Sequence, residues 1–341
     1  MIVAFCEPII DATIDVDIDM MKKWGLDKEQ SSLVTEQFQP LIDWALSQKE
    51  CSINAGGTGQ NTLSVAQWMM GKSGETAIIG AVGNDKNSIL LKTMMEANGV
   101  QCLFQEVSDK STATVIVFNW MKKRSFIASL GASGFFDFGQ WDSPLVYDHI
   151  SRANAIYLSC FFLRHSDRVG LALAAECNRV GIPLVLGLSS ANIFESPAWN
   201  SIRVILKFSS LIFGNEDEYV ALGNKLGFVS GSKLSERSLQ QLAKSISNYG
   251  SSQKIIVMTR AGNPTIVCET GKESFLRDVI DIDTKDIVDT NGAGDAYAGG
   301  FLSQYVKGND LNKCLDAGAY AAYCILQEKG CSIPKYSPNY Q

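Results

Sequence analysis

Histidine is almost missing from this chain: His149 and His165 are the only two in 341 residues. A Ser–His–Asp triad or a histidine-rich zinc site is therefore a poor fit. The nine cysteines form no C-x-x-C pair, which removes the common thiolate zinc and dithiol redox motifs. Their odd number, and a short apolar start that reaches Glu7 too early for a secretory leader, point to reduced thiols in a cytoplasmic protein. No apolar run approaches the roughly 20 residues a membrane span needs. Positive charge is also short: 30 Lys and Arg against 36 Asp and Glu leave a net charge of −6. Neither nucleic acid nor an anionic membrane is expected as a partner, and an anionic substrate needs a local positive site.

The chain does have ample apolar content (46%) and 29 glycines, enough for one large domain and a small accessory one. Apolar runs at Ala155–Ser159, 183–188, 211–213 and 254–259 alternate with helix-spaced segments at 167–180, Glu216–Leu226 and 238–249. A further pair, 77–82 and 88–97, lies upstream. This alternation predicts an α/β fold with a parallel sheet covered on both faces. Short strands at 13–17, Gln101–Val107, 112–119 and 124–128 break the rhythm and predict a small separate sheet. The expected division is a large unit of 1–11, 54–101 and 136–341, with a small unit of 12–53 and 102–135.

The strongest chemical signal is Asp289-Thr290-Asn291-Gly292-Ala293-Gly294-Asp295-Ala296, set between a strand-like stretch (275–282) and an amphipathic helix pattern (296–305). Gly292 and Gly294 let the chain turn tightly where a helix begins, bringing unpaired N–H groups and the positive dipole end to one point. Such a point suits an anion, above all a phosphoryl group in transfer. Asp295 follows immediately, placed to accept the proton of an attacking hydroxyl, with its pKa expected to stay low at a helix start. An isolated G-x-G-D is more often a turn with a capping Asp, but the full strand–turn–helix run favours chemistry. Two look-alikes carry nothing. Gly71-Lys72-Ser73 lacks the first P-loop glycine and follows a helix, and Gly57-Thr58-Gly59 lacks the third glycine of a dinucleotide fingerprint.

The run 289–295 resembles the C-terminal signature of the ribokinase-like (PfkB) carbohydrate kinases. Ala55-Gly56-Gly57-Thr58-Gly59-Gln60-Asn61-Thr62, with Pro8-Ile9-Ile10-Asp11, Phe161-Phe162-Leu163 and Phe213-Gly214-Asn215-Glu216, is similar to the members of that family that phosphorylate adenosine. The resemblance implies a central, mostly parallel sheet of nine or so strands flanked by helices on both faces, with a small β-rich lid. It implies transfer of the ATP γ-phosphoryl group to a nucleoside 5′-hydroxyl, with Asp295 as base and Gly292, Ala293 and Gly294 as the anion hole.

By the same resemblance Asp11 holds the ribose 2′- and 3′-hydroxyls with Gly56, Gly57 and Asn61, and Glu7 lies in or beside the base and sugar pocket. Phe126, Leu130 and Phe162 wall the base, and Arg124 reaches the phosphates from the lid. Asn215 and Glu218 organise Mg²⁺ and phosphate, with Glu218 acting through water, while Thr259, Gly262, Asn291, Ala319 and Ala322 flank the nucleotide. A monomer taking a nucleoside and ATP is expected. The chain departs from its family at Glu7 and Gly187, both of which stand where Asn is expected, and Gln327-Glu328-Lys329 replaces a more basic pair. Glu7 is expected to favour a base with N–H donors, such as guanine or hypoxanthine. A kinase of inosine, guanosine or a sugar, and a catalytically silent nucleoside binder, are the competing readings. An NAD-linked dehydrogenase lacks both its fingerprint and a paired catalytic histidine.

Overall fold

A computed structural model describes residues 1–26, 31–33, 38–121, 123–137, 139 and 143–340; of residues 31–33, 123 and 124 the backbone alone is described. In chain order the first elements are β1 Ile2–Phe5, β2 Ile9–Asp15, α1 Ile18–Lys23, β3 Ser31–Leu33, α2 Gln39–Ser47, β4 Ser52–Gly56 and α3 Thr58–Met70. Then come β5 Thr76–Gly83, α4 Lys86–Ala97, β6 Gln101–Val107, β7 Ala113–Trp120, β8 Lys123–Ser129, α5 Pro144–Ser151, β9 Ala155–Ser159 and α6 Cys160–Val180. The remainder is β10 Leu184–Gly187, α7 Trp199–Phe208, β11 Leu211–Asn215, α8 Glu216–Leu226, α9 Glu236–Ser247, β12 Ile255–Arg260, β13 Asn263–Glu269, β14 Phe275–Arg277, α10 Ala293–Tyr305 and α11 Leu311–Ile325.

Nine strands form the large sheet in the order β14-β13-β12-β11-β10-β9-β1-β5-β6. It is parallel from β12 to β6, and β13 and β14 close one edge antiparallel. Both faces are buried, as continuous apolar strands require. Along β1, Val3 and Phe5 enter one core while Ile2 and Ala4 enter the other. Full burial of a side chain such as Phe5 contributes about 1.5–3 kcal/mol. Strand order runs outward in both directions from β1 and β9, so the crevice at their carboxyl ends is the topological switch point where open α/β sheets bind ligands.

A second sheet, β3-β8-β7-β2-β4, packs its inner face (Ile14, Phe118, Ile127) on Met21, Leu41 and Ile42 of α1 and α2. One expectation is corrected here. Gln101–Val107, assigned above to the small sheet, is the edge strand of the large one, paired parallel to β5 from Ala77↔Gln101 to Gly83↔Val107. The α4 crossover brings it back alongside β5, as a βαβ unit does. The small sheet instead recruits β2 from Ile9 onward, three positions before the expected limit, and β4 as far as Gly56, three positions past it.

The helix after the glycine motif is also buried more completely than an amphipathic pattern suggests: Ala296 to Gln304 are all buried. Gly299 and Gly300 explain it. A Cβ on Gly299 would meet the Thr62 carbonyl of α3 at 2.5 Å, and one on Gly300 would meet the Ala317 carbonyl of α11 at 2.3 Å. This tight three-helix packing fixes the start of α10 over the crevice.

Candidate active site

At the start of α10, Gly292 is left-handed (φ 77°, ψ −1°) and no side chain caps the helix. Asp289 shapes the turn: one carboxylate oxygen accepts from the Asn291 N–H at 3.0 Å and the other from the Gly330 N–H at 3.3 Å. Among the described residues the N–H groups of Gly294 and Asp295 find no protein acceptor. Both residues line a cavity, where unpaired N–H groups at a helix start suit an anion. Gly292→Ala puts a Cβ 2.5 Å from the Cys331 Cβ at a backbone angle that disfavours side chains. We expect this substitution to lower the melting temperature and, by displacing the turn that carries the Gly294 and Asp295 N–H groups, to cut turnover at least about 10²-fold, as losing an oxyanion donor does; calorimetry and initial rates check both.

Asp295 is half-buried at the meeting point of two cavities. Asn61 Nδ2 donates to its Oδ2 at 2.9 Å. Asn61 thus touches Asp295 directly, a contact that the sequence alone does not assign. The expected low pKa is overturned. Burial pushes the Asp295 carboxyl up to about 7, the Asn61 hydrogen bond opposes the rise, and Glu218 and Asp11 add to it. Desolvation in the crevice outweighs the helix end.

The larger cavity, about 420 Å³, opens between the two sheets. Asp11 lies on its wall, packed so closely on Gly56 that a Cβ there would lie 1.9 Å from the carboxyl carbon. The Gly57 N–H donates to the Asp11 carboxylate, while burial raises its pKa to about 6. Gln60, quoted above only within a motif, ties this corner together. Its side chain accepts from the Ile9 N–H at 3.3 Å and donates to the Ile9 carbonyl at 2.8 Å and to the Gly56 carbonyl. Glu7, Phe126 and Asn291 line the same cavity.

Phe162 does not: it is buried, with ring centroids 6.0 Å from Phe5 and 5.5 Å from Phe136. Successive side chains on a helix point about 100° apart, so the first turn of α6 sends Phe162 into the core and its neighbour Phe161 into the cavity. Leu130, half-buried at the end of β8, also stays out of the lining. Arg124 pairs with Asn119 in the small sheet, and its side chain lies outside the described residues. Lys329, given no role above, is the one cation in the described wall of this cavity.

The smaller cavity, about 160 Å³, lies on the other side of Asp295. Asn215 and Glu218 cap α8 reciprocally: the Glu218 N–H donates to Asn215 Oδ1 and the Asn215 N–H to Glu218 Oε2, both at 2.9 Å. Burial pushes Glu218 up to about 7. The Thr259 hydroxyl donates to the Gly214 carbonyl at 3.3 Å and lines this cavity. Gly187 has a steric reason: a Cβ there would lie 2.1 Å from the Tyr157 hydroxyl oxygen, so Tyr157 fills the space a side chain would need. Gly262, Ala319 and Ala322 line neither cavity. Gly262 is in the β12–β13 turn, and both alanines pack α11 against the core. No cluster of three acidic, histidine or cysteine ligands occurs among the described residues.

A family model described as pfkB family carbohydrate kinase matches residues 36–338. Adenosine kinase 2 of Arabidopsis thaliana is 30% identical over 336 residues, covering 96% of this chain and 94% of that protein. Adenosine kinase of Dictyostelium discoideum is 29% identical over 334 residues, covering 98% and 96%. Among solved structures, Anopheles gambiae adenosine kinase in complex with P1,P4-di(adenosine-5) tetraphosphate is similar with a TM-score of 0.87 and 27% identity, covering 98% of this chain and 99% of that one.

Proposed function

This chain belongs to the pfkB family of carbohydrate kinases, and on that premise we propose that it transfers the γ-phosphoryl group of ATP to the 5′-hydroxyl of adenosine, giving AMP and ADP. The observation that carries the reading is the meeting of the two cavities. Thr58, Gly292 and Asp295 line both, so a nucleoside in the larger one and phosphates in the smaller one converge on one carboxylate and one helix start. The Anopheles gambiae relative is in complex with a ligand that carries an adenosine at each end of a phosphate chain, a form these two cavities suit.

In this reading Asp11 accepts hydrogen bonds from the ribose 2′- and 3′-hydroxyls, and Gln60 holds β2 and β4 so that Gly56 and Gly57 approach the sugar. Asn61 orients Asp295. The 5′-hydroxyl lies beside the Asp295 carboxylate and loses its proton to it as the bond to phosphorus forms, while the bond to the ADP oxygen breaks. The N–H groups of Gly294 and Asp295 receive the charge on the moving phosphoryl oxygens.

Glu218 fits Mg²⁺ as a single carboxylate on the phosphate side, reaching it through water, since Mg²⁺ keeps several waters and takes few protein ligands. The ion supplies charge neutralisation on the phosphates. The small sheet, with Arg124 and Phe126, acts as the lid that keeps water from competing for the phosphoryl group. We read the protein as monomeric and cytoplasmic; among the described residues no helix is long and apolar enough to cross a membrane.

The test is ADP release from ATP and Mg²⁺ with adenosine, inosine, guanosine and ribose as acceptors. Adenosine should give the largest kcat/KM. Preference for ribose would move the chain to the sugar kinases of its family, and silence on every acceptor with intact nucleoside binding would make it a binder.

A further inference from the structure

Glu7 is a buried acid of the larger cavity. It lies in the bend between β1 and β2, 7% exposed, in the wall of the larger cavity. No hydrogen bond or ion pair to its carboxyl occurs among the described residues. The nearby Arg164 guanidinium sits instead over the Phe161 ring, 5.4 Å from its centroid. An ionised carboxylate held this way is costly, and a neutral nucleoside brings no cation to offset it. Adenine presents ring-nitrogen acceptors at N1, N3 and N7 and a single donor group, its amine. Most of its polar rim therefore repels a carboxylate and accepts from a carboxylic acid.

Resting on the adenosine reading above, we infer that Glu7 binds the base as a neutral carboxylic acid, its proton donated in a hydrogen bond to a ring nitrogen of the purine. Burial pushes this carboxyl up to about 7, with Arg164 of α6 opposing. The other titratable groups lining the cavity are Cys6 at the end of β1, Asp11 of β2, Asp295 of α10, and Asp289, Lys329 and the buried Cys331 thiol across the cavity. Burial raises the Cys6 thiol and keeps it neutral. Negative charge on Asp11 or Asp295 favours the protonated form of Glu7, and the Arg164 guanidinium favours the ionised form. Bound adenosine excludes water from the carboxyl and so favours the proton further.

The protein should accordingly take up a fraction of a proton on binding adenosine between pH 7 and 8, measured by calorimetry in buffers of different ionisation heat. The adenosine KM should rise several-fold from pH 7 to 8.5 as the carboxyl ionises. Glu7→Gln, a donor that cannot ionise, should abolish Glu7's share of the proton uptake and flatten that rise. Glu7→Ala should raise the adenosine KM about tenfold or more at pH 7, with both variants checked for an unchanged melting profile. Equal proton uptake in wild type and Glu7→Gln overturns the inference, as does an Arg164 that closes onto Glu7 and leaves no uptake to measure. Tighter binding of guanosine, strengthening with pH, would show Glu7 acting as an ionised acceptor and overturn it equally. Wild-type protein that binds adenosine without turnover would fail the functional reading, and proton uptake would still decide the role of Glu7.

Discussion

Asp295→Asn should lower kcat with adenosine by about 10²–10⁴-fold, the usual worth of a positioned general base, while the nucleoside KM changes little. The substitution keeps the shape and can still accept from Asn61, so the loss falls on the transition state rather than on binding. The same variant should gain stability at neutral pH. The Asp295 carboxyl is raised to about 7 in the folded chain, against about 3.9 when unfolded. The folded state therefore holds this proton more tightly, and its stabilising contribution is complete below pH ~4 and lost as pH climbs through ~7. Above that range the wild type carries an unfavourably buried charge that Asn lacks. At about 1.4 kcal/mol per pKa unit, the gain has an upper bound near ~4 kcal/mol, reduced by the solvent that reaches this half-buried group. Melting temperatures should separate at pH 8 and converge near pH 4. For the wild type, kcat should rise with pH through about 7 to a plateau, because the base acts ionised. A variant with unchanged turnover, or one whose melting curve matches wild type at both pH values, would remove Asp295 from the role.

The second large effect is expected at Asp11. A carboxylate accepting two vicinal hydroxyls makes two charge-assisted hydrogen bonds, each worth about 1.5–3 kcal/mol. Asp11→Ala should lower kcat/KM for adenosine by about 10²–10⁴-fold. Its diagnostic is loss of discrimination: wild type should strongly prefer adenosine to 2′,3′-dideoxyadenosine, and the variant should treat them nearly alike. Retained preference would place the ribose elsewhere. The close packing of Gly56 makes the neighbourhood unforgiving, since any side chain at position 56 displaces the Asp11 carboxyl.

The placement of the candidate site residues was legible where short-range geometry decides it. A glycine pair at a helix start followed by Asp295 can be read from eight consecutive residues, and the structure puts its N–H groups and carboxylate at one cavity junction. Asp11 and Asn61 were legible from similarity in local motifs, and both reach the same cavity. What escaped the sequence depends on contacts between distant segments. The direction of the Asp295 pKa follows from burial in the crevice, with Glu218 of α8 and Asp11 of β2 adding to it, none of which the local run contains. The place of Phe161 rather than Phe162 turns on the phase of α6 relative to β9. Gln101–Val107 has the alternation of a small-sheet strand, and only the α4 crossover assigns it to the large sheet. Lys329 lies 34 residues after Asp295 in sequence yet shares its cavity, so no local pattern marked it.

The most direct test is to follow the phosphoryl group itself. Wild-type protein, ATP, Mg²⁺ and adenosine should yield a phosphorus resonance coupled to the two C5′ protons, with AMP and ADP formed in equal amounts. 5′-Deoxyadenosine should yield no phosphoester. Phosphate released to water at the same rate with or without adenosine, or a phosphoester at the 2′ or 3′ position, would contradict the assignment of Asp295 and Asp11 to the two ends of the bound ribose.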